Sequence, residues 1–183
     1  MTLFTSCGES PKTNSEEINF KEELAIPEFT IYTLKDSTEF HSKKLPKKGI
    51  VLVKYFSPDC EHCQKEIQTY ISKKDSLSNI QTIWITGTWV NLETIKNFST
   101  QYQLDELDPI AIGKENMDDI ISYYGMKYVP YTAIYLDNQL IKDYRGSLDF
   151  KELINMNEGK YVQEPKDSIL KRFLTNSGKT KNL

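Results

Sequence analysis

The sequence has no apolar run near the roughly 20 residues that a membrane-spanning helix needs. Its densest stretches, such as Ile50-Val51-Leu52-Val53, are only strand-sized. Positive charge is not in excess either: 23 Lys and Arg face 26 Asp and Glu, for a net charge of −3. That excludes the basic footprint of a nucleic-acid binder. Cysteine is scarce, with three in 183 residues, two of them a close pair. An odd count with one close pair is not a disulfide scaffold. Histidine is scarcer still. A structural zinc site wants four ligands, and only His41, His62 and Cys7 could join the pair. No metal is therefore expected. Internal repeats and low-complexity segments are absent. What is present is a 38% hydrophobic content with 11 Tyr and 8 Phe, enough to bury a core, and 27% charged residues, as in a globular domain.

The chain divides into three parts: 1–27, 28–156 and 157–183. The first is polar and has the composition of a flexible tether. Its Thr5-Ser6-Cys7-Gly8, with Phe4 where leucine is preferred, resembles the cleavage box of a bacterial lipoprotein. The resemblance implies that Cys7 is a lipid anchor holding the chain to the cell envelope.

Residues 29–34 read as a strand and 35–48 as a polar connection. Residues 50–56 are nearly all apolar, as a central strand covered on both faces should be. Ser57-Pro58-Asp59 breaks that strand. The spacing then predicts a helix from near Cys60, with Cys63, Ile67, Tyr70 and Ile71 on one face. Strands are expected at 80–86 and 108–112, and helices at 91–103, capped by Asn91, and at 115–124, stopped by Gly125. Segments 131–136 and 139–145 around Asp137-Asn138 read as a hairpin, and 149–156 as a helix. In the third part Ile169, Leu170, Phe173 and Leu174 fall at helical spacing, which suggests a helix packed on the domain. Strands alternating with helices predict an α/β fold: a mostly parallel sheet, antiparallel at the closing hairpin, with helices on both faces.

Cys60-Glu61-His62-Cys63 carries the chemistry. Cysteines at i and i+3 of a helix's first turn lie within reach of each other, so a disulfide there can open and close without unfolding the domain. The helix N-terminus offers free N–H groups and partial positive charge, both of which favour a thiolate. Cys60, first and more exposed, is the expected nucleophile. Cys63, one turn in, is the expected resolving thiol. His62, when protonated, is expected to stabilise the Cys60 thiolate, while Glu61 and Asp59 oppose it through like charge. The exchange needs no dissociable cofactor. The alternative reading is a binding module in which the pair is a structural disulfide.

Val51 to Cys63 together with Tyr124-Gly125-Met126-Lys127-Tyr128-Val129-Pro130-Tyr131-Thr132 resembles the thioredoxin superfamily, and within it the TlpA/ResA-type thiol–disulfide oxidoreductases of the bacterial envelope. The resemblance spans about 28–156 and implies a thioredoxin-like central mixed sheet. It implies that Pro130 is a cis-proline facing the cysteines, and that Val129, Pro130, Tyr131 and Asp59 border the substrate. It implies protein thiol or disulfide substrates, an electron-donor thiol protein, and a periplasm-facing location. The chain departs from the family pattern in three ways. Glu-His stands between the cysteines, and Asp59 stands where thioredoxin has tryptophan. Lys54 occupies a position where thioredoxin buries an aspartate. A lysine there is expected to snorkel toward water; pairing with Glu93 or another acid, or shuttling a proton for Cys63, are the alternatives.

Overall fold

The computed structural model describes residues 24–178. Cys7, with most of the 1–27 segment, lies outside the described residues. The strands are β1 (Thr30–Thr33), β2 (Glu39–His41), β3 (Ile50–Tyr55), β4 (Ile80–Thr86), β5 (Ala111–Glu115), β6 (Tyr131–Leu136) and β7 (Gln139–Arg145). The α-helices among the described residues are α1 (Glu61–Ser72), α2 (Leu92–Gln101), α3 (Asp119–Tyr124), α4 (Phe150–Asn157) and α5 (Lys166–Ser177). All the strands join one sheet in the order β2-β1-β5-β4-β3-β6-β7.

The sheet is mixed, as the family resemblance implies, rather than mostly parallel, as the strand–helix alternation alone suggests. Only β3–β4 and β4–β5 pair in parallel; the other four pairings are antiparallel. One reason lies in the segment read as a polar connection. Asp36 gathers hydrogen bonds from the Thr33 hydroxyl (2.5 Å), the Thr38 hydroxyl (2.7 Å) and the Thr38 amide (3.2 Å). This Asx-type turn folds the chain back as β2 against β1. A three-residue strand is too short to leave an alternation in the sequence.

β3 is covered on both faces. Val51, Val53 and Tyr55 pack in a layer with Ile120 and Tyr124 of α3 and Ile169, Leu170 and Phe173 of α5. Leu52 and Phe56 pack in the opposite layer, with Cys63, Ile67 and Tyr70 of α1, Ile95 and Phe98 of α2, and Leu153 and Met156 of α4. The apolar stripe of α5 is thus spent inside the domain. Its Phe173 ring lies 5.5 Å from that of Tyr123. α3 stops at Gly125, at φ +57°, where a Cβ would come within 2.6 Å of the Ser177 backbone. Only glycine lets the ends of α3 and α5 approach so closely.

β5 runs on to Glu115, beyond the expected end at 112, and α3 begins only at Asp119. The side chain of Glu115 explains the shift. It is buried, accepts a hydrogen bond from the Tyr55 hydroxyl, and accepts the Ile120 amide at 3.1 Å. The segment is therefore anchored as strand, then as helix cap.

The parallel strands β3, β4 and β5 end at one edge of the sheet. β6, antiparallel to β3, begins at that same edge, with Tyr131 opposite Tyr55. The loops after β3, β4 and β5 and the loop before β6 therefore gather in one place.

Burial pushes the Glu115 carboxyl up, from 4.5 to about 7, against the pull of the Tyr55 and Ile120 hydrogen bonds. The folded chain then holds a proton that the unfolded chain has lost in that interval. This contribution to stability is full below about pH 4.5 and is lost as pH rises through about 7. Glu115→Gln, which keeps the hydrogen-bonding shape, should flatten the decline. Urea midpoints of both proteins from pH 4.5 to 8 check it; an unchanged difference between them across that range would refute the assignment.

Candidate active site

The chain leaves β3 through Ser57-Pro58-Asp59, and the Cys60 amide donates to the Ser57 carbonyl at 3.1 Å. Cys60 is the N-cap of α1, in extended conformation at φ −89°, ψ 111°. Its sulfur plays the part usually taken by a serine or aspartate oxygen: it accepts the Cys63 amide at 3.3 Å. Gln64 pins the loop from behind, donating from its side chain to the Pro58 carbonyl at 2.7 Å. Cys60 is half-buried, Cys63 is fully buried, and both are free thiols.

Across from Cys60 the Val129–Pro130 peptide bond is cis. The Cys60 thiol points to the Val129 carbonyl at 3.7 Å. The ladder between β6 and β7 starts beyond this point, with Gly146 donating to the Pro130 carbonyl at 2.9 Å. The structure thus brings Cys60, Cys63, Val129 and Pro130 together. Asp59, Glu61 and His62 lie exposed around them, Glu61 within 3.9 Å of the Lys65 ammonium. Tyr131 is a correction. Its ring is buried in the opposite layer, 4.9 Å from that of Tyr124, so it cannot border a substrate. Strand alternation turns it inward once Pro130 is at the edge.

Lys54 does not snorkel. It is 2% exposed, donates to the Thr132 hydroxyl at 2.8 Å, and forms an ion pair with Glu66, itself buried. The other Glu66 oxygen accepts the Leu148 amide at 2.8 Å. The acid is therefore Glu66, not Glu93. Lys54 faces α1 from inside the sheet, with no route to water, so the pair must be satisfied internally. Glu66 was missed in the sequence. The available signal was its position one turn beyond Cys63, on the face shared with Ile67 and Tyr70.

These burials set the electrostatics. Burial pushes the Lys54 ammonium down to about 7, while negative charge on the Cys63 and then the Cys60 sulfur holds it up. Burial pushes the Cys63 thiol up to about 12; hydrogen bonding from Cys60 raises it further, while the Ser57 backbone and Lys54 lower it. The arrangement is one accessible sulfur on a helix N-terminus, a second sulfur kept protonated beneath it, and a buried cation below both. No group of three or more metal-ligating side chains occurs among the described residues.

The strand order, the dithiol at the strand–helix junction and the cis-proline opposite it can be set against known proteins. No family model matches the chain. Its architecture aligns with a secreted Mycobacterium tuberculosis disulfide oxidoreductase homologous to E. coli DsbE, with TM-score 0.60 and 16% identity, over 75% of this chain and 98% of that one. It has a thioredoxin fold. A thioredoxin-family thiol:disulfide interchange protein from Chlorobium tepidum aligns with TM-score 0.59 at 16% identity, over 73% of this chain and 95% of that one. StoA from Bacillus subtilis aligns with TM-score 0.53 at 14% identity, over 72% and 97%. Among curated proteins, Protein disulfide-isomerase 2-3 of Arabidopsis thaliana is 24% identical over 119 residues, which is 65% of this chain and 21% of that protein. Protein disulfide isomerase-like 1-1 of the same plant is 27% identical over 119 residues, or 64% and 23%. The chain spans about a fifth of the length of these curated relatives. In this thioredoxin-fold domain the Lys54–Glu66 pair links β3 to α1, with Lys54 near enough to feel the charge of both sulfurs.

Removing one member of a buried ion pair typically costs about 3–5 kcal/mol, because the other charge is stranded. Lys54→Met should therefore destabilise the domain by about that much. Adding Glu66→Gln, which still accepts the Leu148 amide, should restore most of the loss. Denaturant unfolding of the single and double variants checks the coupling; additive losses would show that the pair is not one unit.

Proposed function

We propose that this chain is a thiol–disulfide oxidoreductase that exchanges disulfides with protein substrates in the bacterial cell envelope, working as a reductase. The observation that carries the reading is the asymmetry of the two sulfurs. Cys60 is accessible, caps α1 and lies against the Val129 carbonyl, while Cys63 is buried one turn further in and held protonated.

The reaction follows from that asymmetry. The Cys60 thiolate attacks one sulfur of a substrate disulfide. A bond forms between Cys60 and that sulfur, the substrate disulfide breaks, and one substrate thiolate leaves. Cys63 then gives up its proton and attacks the Cys60 sulfur. The Cys60–Cys63 disulfide forms and the second substrate thiol is released. Two electrons pass from the dithiol to the substrate, so a donor dithiol protein must reduce the pair for the next cycle. The Lys54 charge beneath both sulfurs favours the step in which Cys63 becomes a thiolate. The Val129 backbone, free of the sheet ladder, offers an acceptor to a substrate main chain. Exposed His62, Glu61 and Asp59 tune the approach. Location in the envelope is supported by the secreted disulfide oxidoreductase among the similar structures, and by the lipoprotein-like Thr5-Ser6-Cys7-Gly8, through which Cys7 would anchor the chain.

The test is the reduction potential of the Cys60–Cys63 pair, with Cys7→Ser, in graded dithiothreitol buffers. A value near about −270 mV is expected for a reductase. A value near about −120 mV would make the protein an oxidant, and a pair resistant below about −300 mV would leave a structural disulfide in a binding module. In parallel, Cys63→Ser should accumulate mixed disulfides with substrate proteins on Cys60. Cys60→Ser should accumulate none, as read on non-reducing gels.

A further inference from the structure

The large apolar side chains exposed among the described residues are Trp89, Met117, Tyr128 and Val162, at 62%, 62%, 85% and 86%. Exposed apolar residues scattered singly need no explanation; a row of them does. Three of these four stand on the sheet edge that carries Cys60. Trp89 lies in the loop after β4, Met117 in the loop after β5, and Tyr128 in the loop before β6. Across that edge the order is Met117, Trp89, Cys60, Tyr128, following the strand order β5-β4-β3-β6.

The row is built, not incidental. The Phe56 amide donates to the Ile85 carbonyl at 2.9 Å, so the loop after β4 starts beside the segment that leads to Cys60. The Thr88 hydroxyl donates to Asp118 at 3.0 Å and the Lys114 ammonium to the Thr88 carbonyl at 2.8 Å, tying the loops after β4 and β5 together. The Trp89 ring lies flush on Gly87, where an added Cβ would fall 2.0 Å from it. An indole seated on a glycine, with most of its surface in water, is a fixed apolar anchor of the kind that dominates protein interfaces.

Charge gives the row a direction. The exposed carboxylates of Asp59, Glu93, Asp118 and Asp119 border its Trp89–Met117 half. Of the lysines on that side, Lys114 is turned inward onto Thr88 and Lys43 is paired with Glu28 at 3.1 Å, while Lys44 stands exposed beyond Met117. Lys127 lies on the Tyr128 side.

Resting on the exchange reading, we propose that this edge docks an extended segment of the substrate protein, one whose exchanged cysteine is followed or preceded by large apolar and cationic residues, with Trp89 as the principal anchor. Neighbouring strands are about 4.8 Å apart and an extended chain advances about 3.3 Å per residue. The apolar positions are therefore about one to two residues from the cysteine, over Trp89, and about three, over Met117. Tyr128 flanks the segment beyond Cys60.

The experiment uses the reduced full chain, with Cys7→Ser in every variant, and two synthetic peptides, each with one cysteine as a mixed disulfide to thionitrobenzoate. One peptide has Leu and Trp two and three residues from the cysteine and Lys beyond; the other has Ser and Glu there. Thionitrobenzoate release gives the rate, and 5,5′-dithiobis(2-nitrobenzoate) serves as the small-molecule reference. The apolar, cationic peptide should react about tenfold faster than the other, a factor within reach of one anchoring aromatic. Trp89→Ser and Met117→Ser should each lower the ratio of that peptide's rate to the reference rate, and added salt should narrow the gap between peptides. Val162→Ser should leave the ratio unchanged. Equal rates for the two peptides, or a Trp89→Ser variant indistinguishable from Val162→Ser, would overturn the docking proposal while leaving exchange intact. A wild-type chain that fails to react with the small reference disulfide would bring down the exchange reading itself.

Discussion

β3 pairs along its full length with β4 on one side and β6 on the other, and helices cover both its faces. Every group on Ile50–Tyr55 must therefore be satisfied inside the protein. Backbone groups are met by two ladders and apolar side chains by two layers. The strand cannot slip by one residue without exchanging the contents of those layers. Because its register is fixed, so is the point where it ends, and with it the position of Cys60 at the start of α1.

The same constraint explains the polar core. A lysine in a strand covered on both faces has no water to reach, and a buried cation without a partner is unaffordable. Glu66 and Thr132 supply the partners, from α1 and β6. Their arrangement places a positive charge beneath a dithiol whose inner sulfur is itself costly to ionise. Stability and reactivity are thus linked through one pair: what satisfies Lys54 also holds α1, and Cys63 with it, against the sheet. Glu115 is a second instance, away from the dithiol. Its burial at the end of β5 is made tolerable by the Tyr55 hydroxyl and the Ile120 amide, and those contacts decide where β5 stops and α3 begins.

Parallel pairing of β3, β4 and β5 has a further consequence. Strands running in one direction deliver their loops to one edge, and the antiparallel β6 returns its own starting loop to the same place. The sulfurs, the cis-proline loop and the exposed aromatics become neighbours through topology alone.

Where the physics is local, the sequence by itself determined the outcome. The apolar run of β3, the break at Ser57-Pro58-Asp59, the Asn91 cap, the stop at Gly125 and the hairpin at Asp137-Asn138 are decided by periodicity, capping and turn preference within a few residues. The structure has each of them. The dithiol was legible for the same reason, since two cysteines one turn apart at a strand–helix junction are adjacent in any fold. Only the tertiary structure decided the pairing of β1 with β2 and β5, the identity of the acid that meets Lys54, the inward turn of Tyr131 and the gathering of Trp89, Met117 and Tyr128 at one edge. Those depend on which side chains meet across long separations, as with the 78 residues between Lys54 and Thr132 or the 60 between Tyr55 and Glu115. Such contacts are selected by the packing of the whole core, and no short stretch of chain holds the information that selects them.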